Sequence, residues 1–138
     1  MTHFTLNARL AADTLIVTEL QLCQVLLMND RRFPWLILVP RQPDLTEIID
    51  LQQDDQTQLW HEIALCSEVL KQVAEPHKLN IGALGNVVSQ LHIHIIARQV
   101  DDAAWPDPVW GKPGALPWHT ADATAIIKDI QQEITTRQ

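Results

Sequence analysis

Two apolar segments near the start of the chain predict a β-hairpin. Residues 18–28 are rich in Leu, Val and Met and contain no glycine or proline, which is typical of a strand. Residues 35–39, Trp-Leu-Ile-Leu-Val, are apolar at every position, as expected for a strand covered on both faces. Asn29, Asp30 and Pro34 lie between these segments and are common turn residues, so they predict the turn of the hairpin.

Two later segments show the spacing of amphipathic helices. Apolar residues recur at intervals of four and three within 55–74 and again within 120–136. Thr120 is the expected N-cap of the second helix, because its hydroxyl could accept a hydrogen bond from the first turn. A short helical stretch is also expected within 44–51. The chain therefore contains one long central helix and one helix at the C-terminal end.

The remaining segments predict two further strands. Residues 79–85 run into a glycine turn, and residues 88–98 alternate polar and apolar side chains. Residues 101–117 are too rich in proline, tryptophan and glycine for regular structure. Strands, helix, strands and a last helix in this order predict an α+β fold with a mainly antiparallel sheet. No linker divides the chain, so 1–138 is expected to be a single domain with a core of about 15–118.

Composition and charge narrow the class of protein. The chain has 138 residues, 46% of them hydrophobic and 20% charged, which is typical of one globular domain. The net charge is −7 and no basic patch is visible, so long nucleic acids are poor candidate partners. No apolar run reaches the roughly 18 residues of a membrane span, and no secretory leader is visible. A cytoplasmic location is expected, where Cys23 and Cys66 would be buried free thiols.

The candidate chemistry lies on the strand predicted for residues 88–98. Because alternate residues of a strand share a face, Gln90, His92 and His94 project from one side while apolar residues anchor the other. Gly85 and Asn86, just before this strand, predict a tight turn whose backbone N–H groups suit phosphate oxygens.

Residue types alone leave three interpretations of this strand open. The two histidines could be surface residues, half of a metal site, or groups that act on phosphate. A metal site would need further ligands, and His119, Asp101 and Asp102 could supply them only if the chain folded back.

The segment 90–96, Gln-Leu-His-Ile-His-Ile-Ile, resembles the signature of the histidine-triad family, in which three histidines alternate with apolar residues. The hairpin upstream resembles the nucleoside-binding hairpin of that family, and Trp105-Pro106 resembles the Trp-Pro tail of its nucleotide-binding branch. As a whole, the chain resembles the nucleotide-binding and diadenosine polyphosphate hydrolase branches. The likeness extends over about residues 15–118. This chain departs from the signature at one position, where Gln90 replaces the first histidine.

The resemblance implies a role for each candidate residue. His92 would attack the α-phosphorus of a nucleoside phosphoramidate or dinucleoside polyphosphate without a metal or other cofactor. The backbone carbonyl of Gln90 would still orient His92, whereas the imidazole of the first triad position is lost, which affects hydrolysis more than nucleotide binding. His94 would assist at the phosphate. The implied substrate contacts are Asn29 or Asp30 at the ribose, and Asn80 and Asn86 at the phosphate.

The resemblance also implies a homodimer formed through the long helix and the strand that follows it.

Trp35 and Trp60 are expected in the core. Three functions remain open at this stage: a nucleotidyl hydrolase or transferase, a nucleotide-binding protein with little turnover, and a metal-binding protein that uses His92 and His94.

Overall fold

The computed structural model describes residues 3–138. The elements in chain order are α1 (Ala8–Asp13), β1 (Thr14–Glu19), β2 (Cys23–Met28), β3 (Trp35–Pro40), α2 (Gln53–Ala74), β4 (Lys78–Gly82), β5 (Ile93–Arg98) and α3 (Thr120–Arg137). A short 3-10 helix, Ile48–Asp50, lies ahead of α2. The five strands form one antiparallel sheet with the order β1-β2-β3-β5-β4. The predicted α+β fold is confirmed.

The two faces of the sheet are covered by different kinds of structure. Helices α2 and α3 pack on one face, where the alternating residues Leu91, Ile93, Ile95 and Ala97 join their apolar stripes in the larger core cluster. The other face carries a smaller cluster, to which α1 contributes Leu10 and the irregular segment after β5 contributes neighbouring side chains. Strand β3 is buried at all six positions because both faces are covered, as its uninterrupted apolar sequence predicts.

The strand predicted for residues 18–28 is wrong, because a turn divides this segment between β1 and β2. The buried carboxylate of Glu62 on α2 accepts hydrogen bonds from the backbone N–H groups of Leu22 and Cys23, both at 2.8 Å. Arg41 donates to the Leu20 carbonyl on the other side of the turn. The turn is apolar in sequence because distant side chains, rather than local polar residues, satisfy its backbone.

Two further boundaries differ from the prediction. β5 begins at Ile93 and not at residue 88, since the Leu91 N–H donates to the Leu45 carbonyl at 2.9 Å instead of joining the sheet. Helix α3 begins with Thr120 as its first helical residue, and His119 holds the N-cap position without a side-chain hydrogen bond. The predicted lengths of the central helix and of the irregular segment agree with the structure to within a few residues.

The structure confirms three predictions of burial, at Cys23, Cys66 and Trp35, and contradicts one, at Trp60. Cys23 and Cys66 are buried free thiols as expected, and burial, followed by the nearby carboxylate of Glu62, raises the pKa of both. Trp35 is buried, but Trp60 lies on the outer side of α2 with 66% of its surface exposed, so its assignment to the core is wrong. Within residues 3–138, no helix combines the length and apolar character needed to cross a membrane.

Candidate active site

A cavity of about 650 Å³ opens on the face of the sheet that the two long helices do not cover. Its floor contains His92 and His94, and its walls come from α1, from the turn between β2 and β3, and from two irregular segments. The segment before β5 contributes residues 84–88, and the segment after β5 contributes residues 109–112, 115 and 117. The volume suits a small organic ligand, and the lining combines apolar surface with a few polar groups.

His92 lies immediately before β5 and is held by the backbone of its own segment. Its Nδ1 is 2.6 Å from the carbonyl oxygen of Gln90, and only 7% of the residue is exposed. A carbonyl can only accept, so Nδ1 must carry the proton. The lone pair of the neutral ring therefore lies on Nε2, which is left free to act as a nucleophile.

His94 is fixed in the opposite tautomer. The indole Nε1–H of Trp35 donates to His94 Nδ1 at 3.0 Å, and both side chains are buried. An indole nitrogen can only donate, so His94 Nδ1 carries the lone pair and Nε2 carries the proton. The two imidazoles pack edge to face with centroids 4.9 Å apart. The site thus places one unprotonated Nε2 beside one Nε2–H group.

The charge of His94 follows from its surroundings. Burial, and to a lesser extent the nearby His92, lowers the pKa of His94 from 6.5 to about 4. Desolvation disfavours the imidazolium form, and the hydrogen bond from Trp35 occupies the nitrogen that would have to be protonated. At neutral pH His94 is therefore an uncharged hydrogen-bond donor.

Gln90 does not line the cavity. Its side-chain Oε1 accepts from the backbone N–H of Asn7 at 2.8 Å, and its Nε2 donates to the carbonyl of Thr5 at 2.9 Å. The predicted contribution of its backbone to His92 is present, while its side chain binds the N-terminal segment. The sequence contained no sign of this second contact, because 83 and 85 positions separate the partners.

Asn29 and Asp30, the expected ribose contacts, line the cavity, but other groups already use their oxygens. Asn29 Oδ1 accepts from the backbone N–H of Trp118 at 2.9 Å. Asp30 is 3% exposed, pairs with Arg32 at 2.8 Å and accepts from the Leu116 N–H at 3.3 Å. Burial alone raises the pKa of Asp30, but its hydrogen bonds outweigh this and lower the pKa overall. The turn therefore holds the segment before α3 against the cavity.

Asn80 is the predicted substrate contact that lies outside the cavity lining. Its Oδ1 accepts from Arg98 Nη1 at 2.8 Å. Arg98, which is 1% exposed, also pairs with Asp102 at 2.8 Å and donates to the Asp107 carbonyl at 2.8 Å. Asn80 therefore completes a buried polar network beneath the irregular segment and is occupied there.

The same network fixes the start of the irregular segment after β5. Asp102 accepts from Arg98 and from the backbone N–H groups of Gln99, Ala104 and Trp105. Burial by itself raises the pKa of Asp102, but these hydrogen bonds outweigh it and lower the pKa to about 2. Asp102 is thus an ionised residue that stabilises this segment. Its carboxylate accepts these hydrogen bonds and is not available as the suggested metal ligand.

The predicted glycine turn does border the cavity. Gly85 has φ 70°, in the left-handed region that glycine adopts without strain, and it lines the cavity together with Asn86. A second glycine allows a close contact: a Cβ on Gly82 would lie 3.1 Å from the Trp110 ring. Trp110 can therefore pack against His94, with ring centroids 5.4 Å apart.

Sequence reasoning did not assign Arg9, Trp35 or Lys112 to the cavity that they line. Trp35 was assigned to packing, and its donor role becomes visible only in the register of β3 and β5, which pair antiparallel. Lys112 could have been suspected, because it follows Gly111 in an otherwise uncharged stretch. Arg9 lies outside every motif and reaches the cavity only through the docking of α1.

A metal ion at His92 and His94 would find no third His, Cys, Asp or Glu ligand among residues 3–138. Across the part of the chain that the structure describes, no three His, Cys, Asp or Glu side chains converge to hold an ion. His94 Nδ1 and His92 Nδ1 are also both engaged in hydrogen bonds. The geometry therefore gives the metal interpretation no support.

Comparisons with known proteins agree with this class of α+β protein, in which a His-x-His segment forms the floor of a cavity. Residues 9–101 match the family model described as HIT domain. The chain belongs to the HIT domain family. No curated protein sequence matches it.

Three solved structures show how closely the fold is shared. A histidine triad protein from Bradyrhizobium japonicum is 46% identical, with 96% of this chain and 99% of that chain covered and a TM-score of 0.95. A histidine triad protein from Sinorhizobium meliloti is 46% identical, with coverage of 94% and 96% and a TM-score of 0.93. A histidine triad protein from Marinobacter aquaeolei is 41% identical, with coverage of 98% of both chains and a TM-score of 0.94. The expected HIT-like fold is confirmed.

Proposed function

We propose that the cavity binds a nucleoside phosphate and that His92 transfers the nucleotidyl group to water or another acceptor. The observation that carries this proposal is the pair of opposite tautomers, a free Nε2 on His92 beside an Nε2–H on His94. The first suits a nucleophile and the second suits a donor to a phosphate oxygen. The substrate class is a nucleoside phosphoramidate or a dinucleoside polyphosphate.

In the first step, His92 Nε2 attacks the α-phosphorus and forms a P–N bond while the bond to the leaving group breaks. The leaving group departs with a proton from solvent. The resulting nucleotidyl-imidazole is cationic, and its Nδ1–H remains bound to the Gln90 carbonyl at the position seen 2.6 Å away. Water then attacks phosphorus and gives a proton to solvent as the P–N bond breaks, which releases the nucleoside monophosphate and returns His92 to its neutral form. Most of the rate would come from positioning and from donors at the equatorial oxygens.

The cavity supplies groups of the right sign for these oxygens. His94 Nε2–H and the backbone around Gly85 and Asn86 are neutral donors on the same side as His92. Lys112 adds a cationic group at the rim, and within residues 3–138 it has no carboxylate within salt-bridge distance. Asn29 remains the candidate for a ribose hydroxyl, since its amide nitrogen is not used by the contact to Trp118.

Nucleotide binding with little turnover is the second candidate function. It is favoured by the low pKa of His94, which leaves this ring neutral at physiological pH. A neutral imidazole is a weak acid, so it would contribute little to protonating a poor leaving group. The two candidates differ in turnover and share the binding site.

An adenosine phosphoramidate separates the two candidates. The enzyme interpretation expects release of adenosine monophosphate, and a loss of at least about a thousandfold in His92→Ala, because the nucleophile is removed. His61→Ala, an exposed histidine on α2, is the matched control and should retain the activity of the wild type. Binding of the monophosphate without turnover supports the second candidate. If the wild type neither binds nor releases the monophosphate, both candidates are wrong.

We also propose that two copies of the chain pair through α2 and β4. β4 is an edge strand, so one side of its backbone has no strand partner among residues 3–138. Large apolar side chains are exposed nearby: Trp60 on α2 at 66%, Ile81 on β4 at 47%, and Leu84 at 43%. Such a surface favours burial against a second copy.

The other edge of the sheet provides the control for this interface. Trp60→Lys should convert a dimer to a monomer of 15.7 kDa in sedimentation experiments. Ile16→Lys changes a residue on β1 that is equally exposed at 66%, and it should leave the dimer intact. A monomeric wild type would contradict the proposal.

The cytoplasmic location expected from the sequence stays a prediction.

A further inference from the structure

Gln90 connects two parts of the site through different atoms. Its backbone carbonyl accepts from His92 Nδ1 at 2.6 Å, while its side-chain amide binds the N-terminal segment. Both ends of the amide are used, because Oε1 accepts from Asn7 N–H and Nε2 donates to the Thr5 carbonyl. A primary amide matches a backbone N–H and C=O pair in this way, whereas an imidazole has one donor and one acceptor on opposite sides of its ring.

The contact at Asn7 continues into the cavity wall. Asn7 is the N-cap of α1, and its Oδ1 accepts from Arg9 N–H at 2.8 Å and from Leu10 N–H at 3.4 Å. Arg9 and Leu10 line the cavity, as do two further residues of this helix. Gln90 therefore contacts Asn7, the residue that caps the helix forming this wall.

The helix needs such support because it is short. α1 has six residues, and a helix of this length is not stable without tertiary contacts. Leu10 is its buried residue, and the Phe4 and Leu6 side chains pack partly against the smaller core cluster. These apolar contacts attach the segment to the sheet, but they are not directional. The Gln90 side chain adds two directional contacts ahead of the helix, while at its other end the Asp13 carbonyl accepts from the Asn29 N–H at 3.0 Å.

We propose that Gln90 is a positioning residue that holds α1 against the ligand cavity, so that the residue in place of a triad histidine sets the affinity for the substrate. This inference rests on the proposed function for the identity of the ligand. Without this contact, α1 has to be ordered by the ligand itself, and part of the binding free energy is used for that ordering. The loss then falls mainly on binding, because the Gln90 carbonyl that orients His92 belongs to the backbone.

The experiment compares full-length wild type with Gln90→Ala, Gln90→Glu and Gln131→Ala. Gln90→Glu keeps the acceptor for Asn7 but replaces the donor to Thr5 with a second oxygen. Gln131 is the matched control, because its Nε2 donates to the Val17 carbonyl at 2.8 Å and so links α3 to β1 away from the cavity. The measurements are the Kd of adenosine monophosphate, KM and kcat with adenosine phosphoramidate, and amide hydrogen exchange of residues 7–13.

For Gln90→Ala, the expected result is a Kd raised about tenfold, as for the loss of one or two hydrogen bonds. The rise in KM should exceed the fall in kcat, and exchange across residues 7–13 should be faster. Gln90→Glu should lie between the wild type and Gln90→Ala, and Gln131→Ala should match the wild type in Kd. Equal Kd values for the wild type and both Gln90 variants would overturn the proposal.

Failure of the proposed function gives a different result. If the wild type binds no adenosine monophosphate, the function is wrong, and hydrogen exchange alone decides whether Gln90 holds α1. Faster exchange in Gln90→Ala, but not in Gln131→Ala, then supports this role. Unchanged exchange overturns it.

Discussion

The two faces of the sheet are built by different physical means. On one face, α2 and α3 place periodic apolar stripes over Leu91, Ile93 and Ile95. On the other face, the cover is a six-residue helix and an irregular segment, which are held by polar contacts in addition to the smaller apolar cluster. The cavity of about 650 Å³ lies on the second face.

This difference shows how stability and function are separated within one sheet. Regular helices bury apolar area efficiently and leave no room for a ligand. Irregular segments leave a concave surface, but their backbone groups must then be satisfied one by one. Arg98, Asp102 and Gln90 are among the residues that satisfy backbone groups on the cavity face. Consecutive residues of β5, such as His94 and Ile95, therefore serve different purposes.

The strongest test of the comparison removes the polar support of the cavity face. Asp102→Ala should lower the free energy of unfolding by about 3–5 kcal/mol, because it leaves the Arg98 charge buried and unpaired. Chemical denaturation measures this change, and Asp101→Ala, its exposed neighbour, is the control. A variant as stable as the control would show that the network does not hold this face.

The corresponding change on the helix-covered face is Ile95→Ala. Ile95 is fully buried in the larger cluster, so its truncation should cost about 2–5 kcal/mol through lost burial and an unfilled cavity. Nucleotide binding by the folded protein should be retained, since the side chain points away from the cavity. The control is Ile16→Ala, whose exposed side chain should change stability by less than about 0.5 kcal/mol. A loss of binding larger than the loss of stability would contradict the separation of the two faces.

The pH dependence of stability should come from the cavity face. The pKa of His94 is lowered on folding, so the unfolded chain binds its proton more readily, and protonation favours unfolding. The contribution of His94 is therefore complete above 6.5 and is lost as the pH falls towards 4. The loss should be about 2–3 kcal/mol, measured by denaturation across this interval. His94→Gln should show a flatter profile, and an unchanged slope would refute the assignment.

The smallest expected effect concerns the tautomer of His94. Trp35→Phe removes the donor to His94 Nδ1. It should slow the turnover of adenosine phosphoramidate to adenosine monophosphate about fivefold to tenfold. Nitrogen chemical shifts of His94 should then show a mixture of tautomers, whereas the wild type should show only Nε2–H. Trp118→Phe, which removes an indole hydrogen bond to the Met28 carbonyl, is the control. A single tautomer in both variants would mean that Trp35 does not select it.

Patterns along the chain predicted the helix-covered face better than the cavity face. The stripe of α2 and the alternation around His94 are local, and each was visible within a few turns of chain. The buried Glu62 was not, because a carboxylate within an apolar stripe becomes intelligible only when its partners at Leu22 and Cys23 are known. The same applies to Asn80, whose occupation by Arg98 depends on the pairing of β4 with β5.

The sequence by itself determined that His92 and His94 share a side, that apolar residues anchor the strand behind them, and that the fold is α+β. These properties follow from periodicity, which acts over neighbouring residues. The tertiary structure decided the tautomer of His94, the position of α1 at the cavity, and the contact between the Gln90 side chain and the segment ahead of α1. Hydrogen bonds between residues far apart in the chain have no period, so only the folded arrangement shows which groups meet.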